Sequence, residues 1–318
     1  MTRAVPALDS KAFGRARDYL LESARPLERA LFRHRFEGGP ADDVLAALSL
    51  YRNPDGGFGH GLEPDFRLPA SSAMATSVAF HALRAVKARD DCDLVRGAIG
   101  YLVDTVDLER SGWRGVPLAV NDHPHAPWWD RAEDAATDAF GNPDADLLAA
   151  LHEHAALVPR ELLGRLTDGA LARLDESPVP LEPYTALCWL RFEPAAPAAL
   201  RVRVAERLRS DARKLIDLDP RRREENHFQP FWLAERPAAL LADLLREEVE
   251  RNLDAEIERQ HADGYWEPRW SWDDRYPEAW QTARLEWRGS ETLRTVTCLA
   301  AWGRTEPGTL RADVQGRK

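Results

Sequence analysis

The sequence predicts an all-α protein assembled from pairs of helices. Three observations carry that prediction. Apolar residues recur at helical spacing along almost the whole chain, strand-like alternation is nearly absent, and one short turn pattern returns with similar neighbours.

The elements follow in order. Val44, Leu45, Leu48 and Tyr51 form one helical stripe, and Val78, Ala79, Ala82, Leu83 and Val86 form the next. Leu147, Leu148 and Leu151 obey the same spacing, as do Val249, Leu253 and Ile257, and then Val296, Leu299 and Trp302. Residues 197–216 read as a long amphipathic helix with an Arg-rich outer face. Pro159 and Pro237 are each placed to open a helix, because a proline in the first turn forfeits no hydrogen bond. Three long connectors, 53–71, 109–141 and 261–289, are rich in Trp, His, Gly and Pro, and are expected to be ordered and packed.

Composition narrows the class. The 318 residues carry 53 acidic and 43 basic side chains, a net charge of −10 that repels phosphate backbones and disfavours a nucleic-acid partner. Cys92, Cys188 and Cys298 stand far apart, with neither a disulfide framework nor a CxxC zinc pattern, which fits a reducing setting. The N-terminus shows no signal-peptide pattern and no stretch is long and apolar enough to span a membrane, so a cytoplasmic location is expected. Tryptophan is the skewed residue: of 11, five fall between Trp266 and Trp287, enough to fill a joint between helices or line a cavity.

The recurring turn is the most specific feature. NPDGGF at 53–58 and QHADGYW at 260–266 align with Asp55 on Asp263, 208 residues apart. Each follows an amphipathic helix with a polar end, Arg52 or Gln260. Each precedes a long loop and then a helix rich in Ala, Thr and Val: SSAMATSVAFHAL in one case, GSETLRTVTCLAAW in the other. ERSGWRG at 109–115 is a weaker third copy, and EPYTALCWL followed by PAALRVRVAERL is a candidate fourth helix pair. Asp-Gly makes the tight turn, and the following aromatic wedges between adjacent helices.

Arg52–Gly59 and Gln260–Glu267 resemble the turn between outer and inner helices in the terpenoid cyclase and protein prenyltransferase superfamily, an α/α toroid. The resemblance covers about residues 40–304. It implies a single domain with an α/α toroid of about five to six helix pairs, an N-terminal helical extension at 1–39 and a tail at 305–318. Ala75–Leu83 and Thr292–Leu299 would be inner helices, opening on a central cavity. The chain departs from the superfamily at two points. Asp144-Ala145-Asp146-Leu147 lacks the last aspartate of the cyclase Asp-x-Asp-Asp acid motif, and Cys188 and Cys298 lack the partners of the prenyltransferase zinc site.

Candidate site residues come from the loops and helix starts. His60, Glu63 and Asp65 would sit at a cavity mouth, where a carboxylate raised by burial serves as an acid; the structural alternative is that Glu63 or Asp65 caps the next turns and His60 is solvated. His125, Trp128 and Trp129, in a Pro-flanked segment, either contact a ligand or form a lid; the His-x-His-plus-Asp spacing completes no metal motif. Trp270, Trp272 and Trp280 offer aromatic walls for a cation or a sugar ring, or simple packing. Tyr184, opening the EPYTALCWL helix, joins this lining set. Asp273, Asp274 and Glu278 superficially match a Mg²⁺–diphosphate motif, but Pro277 argues for a loop. Asp144 and Asp146 open a helix, where acidic residues serve as caps or dipole partners; Asp146 is also the acid candidate of the incomplete motif.

The expected function is cyclase-like or prenyltransferase-like acid–base chemistry on an apolar, isoprenoid-type small molecule in a central cavity. No cofactor is expected, and Mg²⁺ enters only if a diphosphate is the substrate. Two further classes stay open: a carbohydrate-active α/α-barrel glycosidase or lyase, and a non-catalytic toroid holding a partner on its concave face.

Overall fold

A computed structural model of the chain describes residues 5–132, 141–216 and 228–306. The fold is all-α. Among the described residues there are 12 α-helices and no strand, only isolated bridges such as Arg52 with Phe58. No helix among them is long and apolar enough to cross a membrane. In order, the helices are α1 (Ser10–Glu22), α2 (Pro26–Phe32), α3 (Ala41–Ser49), α4 (Ala73–Ala85), α5 (Asp93–Thr105), α6 (Asp144–Glu153), α7 (Arg160–Glu176), α8 (Pro183–Phe192), α9 (Ala198–Asp211), α10 (Pro230–Leu233), α11 (Arg246–Arg259) and α12 (Pro277–Ala301).

The chain forms two compact units that interleave in sequence. Unit 1 takes Met1–Ala47, Ile216–Ser271 and Trp280–Lys318, and unit 2 takes Leu48–Leu215 with Trp272–Ala279.

Unit 2 is a double row of helices. α6 lies between α4 and α8, and these three form the inner row; α5, α7 and α9 pack outside it. The composition explains the rows. α6 is buried on every side from Asp144 to Leu151, and its Ala145, Ala149 and Ala150 let α8 come close. Ala75, Ala79 and Ala82 do the same for α4. α5, α7 and α9 bury one stripe each, such as Val204 and Leu208 of α9, and leave the rest to solvent. Ser72 caps α4 by accepting from the Ala75 N–H, and Glu182 caps α8 by accepting from the Tyr184 and Thr185 N–H groups.

Unit 1 joins both ends of the described chain. The Leu8 N–H donates to the Arg304 carbonyl at 2.8 Å, and the Glu306 N–H returns to the Leu8 carbonyl. α1 packs on α2, and α10 on α11. Gly289 lets α12 approach the Cα and Cβ of Ala24.

Two segments differ from the sequence expectation. The connector expected over 261–289 ends at 276, because α12 opens at Pro277 and EAWQTARLEWR supplies strong helix formers. The helix expected to open at Pro237 does not form. Residues 237–245 make successive short turns that bury Leu241, Ala242 and Leu245, so tertiary burial overrides local propensity.

The two Asp-Gly turns share one geometry. The Asn53 N–H donates to the Gly57 carbonyl and the His261 N–H to the Tyr265 carbonyl, both at 2.9 Å. Gly56 and Gly264 take φ of 89° and 94°, the region that favours glycine. A Cβ on Gly56 would meet the Gly97 carbonyl of α5 at 2.4 Å, and one on Gly264 the Arg15 carbonyl of α1 at 2.3 Å. Each glycine therefore seats its turn directly on a neighbouring helix backbone.

Candidate functional site

A cluster of charge in unit 2 gathers around Asp146. This residue sits in the first turn of α6 with 1% exposure. His81 Nε2 lies 2.6 Å from its Oδ2, Arg84 Nη1 2.6 Å from its Oδ1, and Arg191 Nη1 3.3 Å from Oδ2. His81 and Arg84 are three residues apart on α4 and so share a face, while Arg191 comes from the end of α8. Arg84 also donates to Glu153, the last residue of α6.

The electrostatics separate these groups. Burial alone would raise Asp146, but the charges of His81, Arg191 and Arg84 overcome it and hold the carboxyl well below its usual range. Burial would lower Arg84, and Asp146 and Glu153 turn that into a net rise. His81 is held below the usual imidazole value, first by burial and then by Arg191, against the pull of Asp146. Its side chain is nevertheless 38% exposed. The ring therefore meets solvent.

The resulting chemistry is a carboxylate–imidazole dyad. An ionised Asp146 orients Nε2–H of neutral His81 towards itself, which leaves the Nδ1 lone pair to accept a proton. An imidazolium formed there would be stabilised by the carboxylate behind it. Asp146, in contact with His81, Arg84 and Arg191, is placed to orient the imidazole ring.

Asp144, two residues earlier, serves the fold. It accepts from the Trp113 and Gly141 N–H groups at 2.7 and 3.1 Å and from Arg110 at 3.2 Å. Burial pushes its carboxyl upward against those partners. Cys188 of α8 is also buried, and burial followed by the field of Asp146 pushes its thiol far up, so it is no nucleophile.

The loop candidates form a separate, tightly stitched group in unit 2. Glu63 and Asp65 are both buried; Glu63 Oε2 accepts the Asp65 N–H at 2.7 Å, and Asp65 Oδ1 accepts the Trp272 indole N–H at 2.8 Å. His60 is exposed, with Nε2 2.9 Å from Asn53 Oδ1. Glu63 thus closes a local turn through its own carboxylate. His125 is buried between the His123 carbonyl, on Nδ1, and Asp130, on Nε2. Arg275 grips Asp130 with two nitrogens and, with His125, holds that carboxyl down at about 2. Trp129 packs edge-on against Phe66, whereas Trp128 is half exposed.

The remaining aromatic candidates are spread more widely. Trp272 is fully buried, and Tyr184 is exposed at the start of α8. Trp270 and Trp280 belong to unit 1, where Trp270 packs edge-on against Trp287. Asp273 and Asp274 are exposed in the segment before α12, and Glu278 lies in its first turn. Among the described residues, no group of three or more His, Cys, Asp or Glu gathers in a metal-holding arrangement.

His81, Arg84 and Arg191 were not singled out from the sequence. Their only trace is the three-residue spacing in FHALRA and one arginine closing CWLRF, and both patterns are common on helices.

The structure is similar to that of the type II terpene cyclase MstE from Scytonema, solved as an aspartate-to-alanine variant in complex with merosterolic acid A, its product. The TM-score is 0.53 at 14% identity, and the match covers 92% of this chain and 97% of that one. No family model and no curated protein sequence matches the chain. The likeness and the helical architecture together show that this chain has a terpenoid cyclase-like fold of the all-α, α/α toroid class.

Proposed function

We propose that the chain is a terpenoid cyclase-like protein that acts on an apolar, isoprenoid-type small molecule by acid–base chemistry, with His81 as the proton acceptor. The observation that carries this reading is the solvent-open His81 ring set 2.6 Å from the sealed Asp146 carboxylate. The fold likeness supports the substrate class, because the similar cyclase was solved with a terpenoid product.

In the step proposed, His81 Nδ1 takes a proton from a C–H beside a carbocation. The C–H electron pair becomes the new alkene, and the proton ends on the imidazole. Asp146 orients the ring and balances its charge; Arg84 and Arg191 keep Asp146 ionised. Glu63, Asp65 and His60 belong to this proposal as secondary acid–base candidates. Trp128, Trp129, Trp270, Trp272, Trp280, His125 and Tyr184 belong to it as candidate ligand contacts, and Mg²⁺ has a part only with a diphosphate substrate.

The test is product analysis by mass spectrometry. The purified protein would be incubated with geranylgeraniol, squalene, or geranylgeranyl diphosphate with and without Mg²⁺. Cyclised product is expected from one of them. The His81→Gln variant should lose about 100-fold or more in turnover, a typical size for a lost general base. Undiminished turnover in that variant would remove His81 from the mechanism. Products from none of these substrates would overturn the isoprenoid reading.

A further inference from the structure

We propose that Arg191 contacts the substrate beside His81, donating to a neutral oxygen, a hydroxyl or carbonyl, on the isoprenoid-type molecule. The inference rests on the acid–base reading of His81 and narrows the substrate class for that site. The two arginines around Asp146 are spent differently. Arg84 commits all three guanidinium nitrogens to α6: Nε to Glu153 at 2.8 Å, Nη1 to the Asp146 carboxylate at 2.6 Å and Nη2 to the Asp146 carbonyl at 3.1 Å. It holds the helix from its first turn to its last residue. Arg191 makes one contact among the described residues, from Nη1 to Asp146 Oδ2 at 3.3 Å. A guanidinium carries five N–H donors in a rigid fork, so most of those on Arg191 are unspent. Its side chain is 32% exposed, which leaves them open to solvent.

These donors stand next to the proton acceptor. His81 Nε2 and Arg191 Nη1 meet on the same atom, Asp146 Oδ2. Of the charges acting on the imidazole, that of Arg191 is the largest. His81 Nδ1 has no partner among the described residues. An acceptor nitrogen and a donor fork thus lie side by side, both reached by solvent and both anchored on one sealed carboxylate.

Charge selects a neutral group. The formal charges of Arg84 and Arg191 are matched by those of Asp146 and Glu153, and Arg110 matches Asp144. His81 is neutral in its role as acceptor. An anion brought here would find no uncompensated cation, and a cation would face the exposed guanidinium. A hydroxyl or carbonyl oxygen needs only the donors that Arg191 has spare. Seated there, it sets the neighbouring C–H bonds against His81 Nδ1, so Arg191 helps choose which carbon loses its proton.

The test is a titration with geraniol, with the hydrocarbon of the same skeleton lacking the hydroxyl, and with geranic acid, followed through the NMR signal of His81 Cε1. Geraniol should move that signal and bind about tenfold or more tightly than the hydrocarbon, because a site that bonds a hydroxyl discriminates against its loss. Arg191→Met keeps the stem, removes the donors and should erase most of that preference. Arg191→Lys, a donor without the fork, should keep part of it. The preference is a ratio within each protein, so a change in stability does not imitate the effect, and the ratio in the unmodified protein stands even where a variant fails to fold. An unmoved His81 signal, equal affinity for the hydrocarbon, tighter binding of geranate, or a preference that survives in Arg191→Met would overturn the proposal. The readout is binding, so the two readings fail separately. Absence of product overturns the acid–base reading alone, and product formed without a hydroxyl preference overturns this inference alone.

Discussion

Thr292 Oγ1 receives the backbone N–H of Trp266 at 3.0 Å. The same relation joins Phe58 to Thr76 Oγ1 at 3.2 Å and Trp113 to Asp144 Oδ1 at 2.7 Å. Three times an aromatic that follows a turn passes its N–H to a side-chain oxygen of the next helix. Trp266 and Trp113 also lay their indole N–H on a carbonyl of the preceding helix, Glu256 and Leu102. Trp266 and Trp113 therefore each pin two helices. Thr292→Val leaves a buried N–H without a partner and should cost about 1–3 kcal/mol in urea unfolding. Thr292→Ser should recover most of it; equal losses in both variants would show that the methyl, not the hydroxyl, matters.

Gly264→Ala and Gly56→Ala should each cost more than about 2 kcal/mol, since a Cβ meets both an unfavourable φ and a backbone carbonyl. Gly100 and Gly164 lie inside α5 and α7 with nothing near their Cβ positions. Alanine there should stabilise by about 0.4–1 kcal/mol. Thermal unfolding of the four variants separates the two classes.

Asp146→Asn removes the negative charge that Arg84, Arg191 and His81 share. Breaking a buried pair from one side costs about 3–5 kcal/mol, and the lower end applies because solvent reaches Arg84 and Arg191. Asp144→Asn should instead weaken the Trp113 turn. A double-mutant cycle of Asp146→Asn with Arg84→Gln should show a coupling of about 1 kcal/mol or more.

Acid should weaken the fold in two windows with one sign. The folded state holds both Asp146 and His81 below their ordinary values, so it binds fewer protons than the unfolded chain. The His81 contribution is complete above about 6.5 and is lost as pH falls below it; the Asp146 contribution is complete above about 3.8 and is lost at more acid pH. In Tm measurements from pH 8 to pH 3, His81→Gln should flatten the upper window and also shrink the lower, because His81 leads the charges that hold Asp146 down. His152, also lowered by burial, adds a slope of the same sign near neutrality.

The helix stripes and the turns were legible because both are local. Periodicity marked α4, α6, α11 and α12, and Asp-Gly followed by an aromatic marked the two turns. The same local logic placed Asp144 and Asp146 at a helix start. The His81–Asp146–Arg191 cluster was not legible, because it draws one residue from each of three helices and no spacing along the chain encodes that meeting. Pro237 misled for a related reason: its segment is shaped by the burial of Leu241 and Leu245, which lies outside the window that a proline rule reads.

The three cysteines make the protein its own conformational reporter. Cys188 belongs to unit 2 and Cys298 to unit 1; both are sealed and held as thiols by burial, while Cys92 is half-buried at the cap of α5. A thiol reagent applied to the native protein should therefore modify one site. In Cys92→Ser protein, the appearance of label on Cys188 or on Cys298 would time the opening of each unit separately, without any engineered probe.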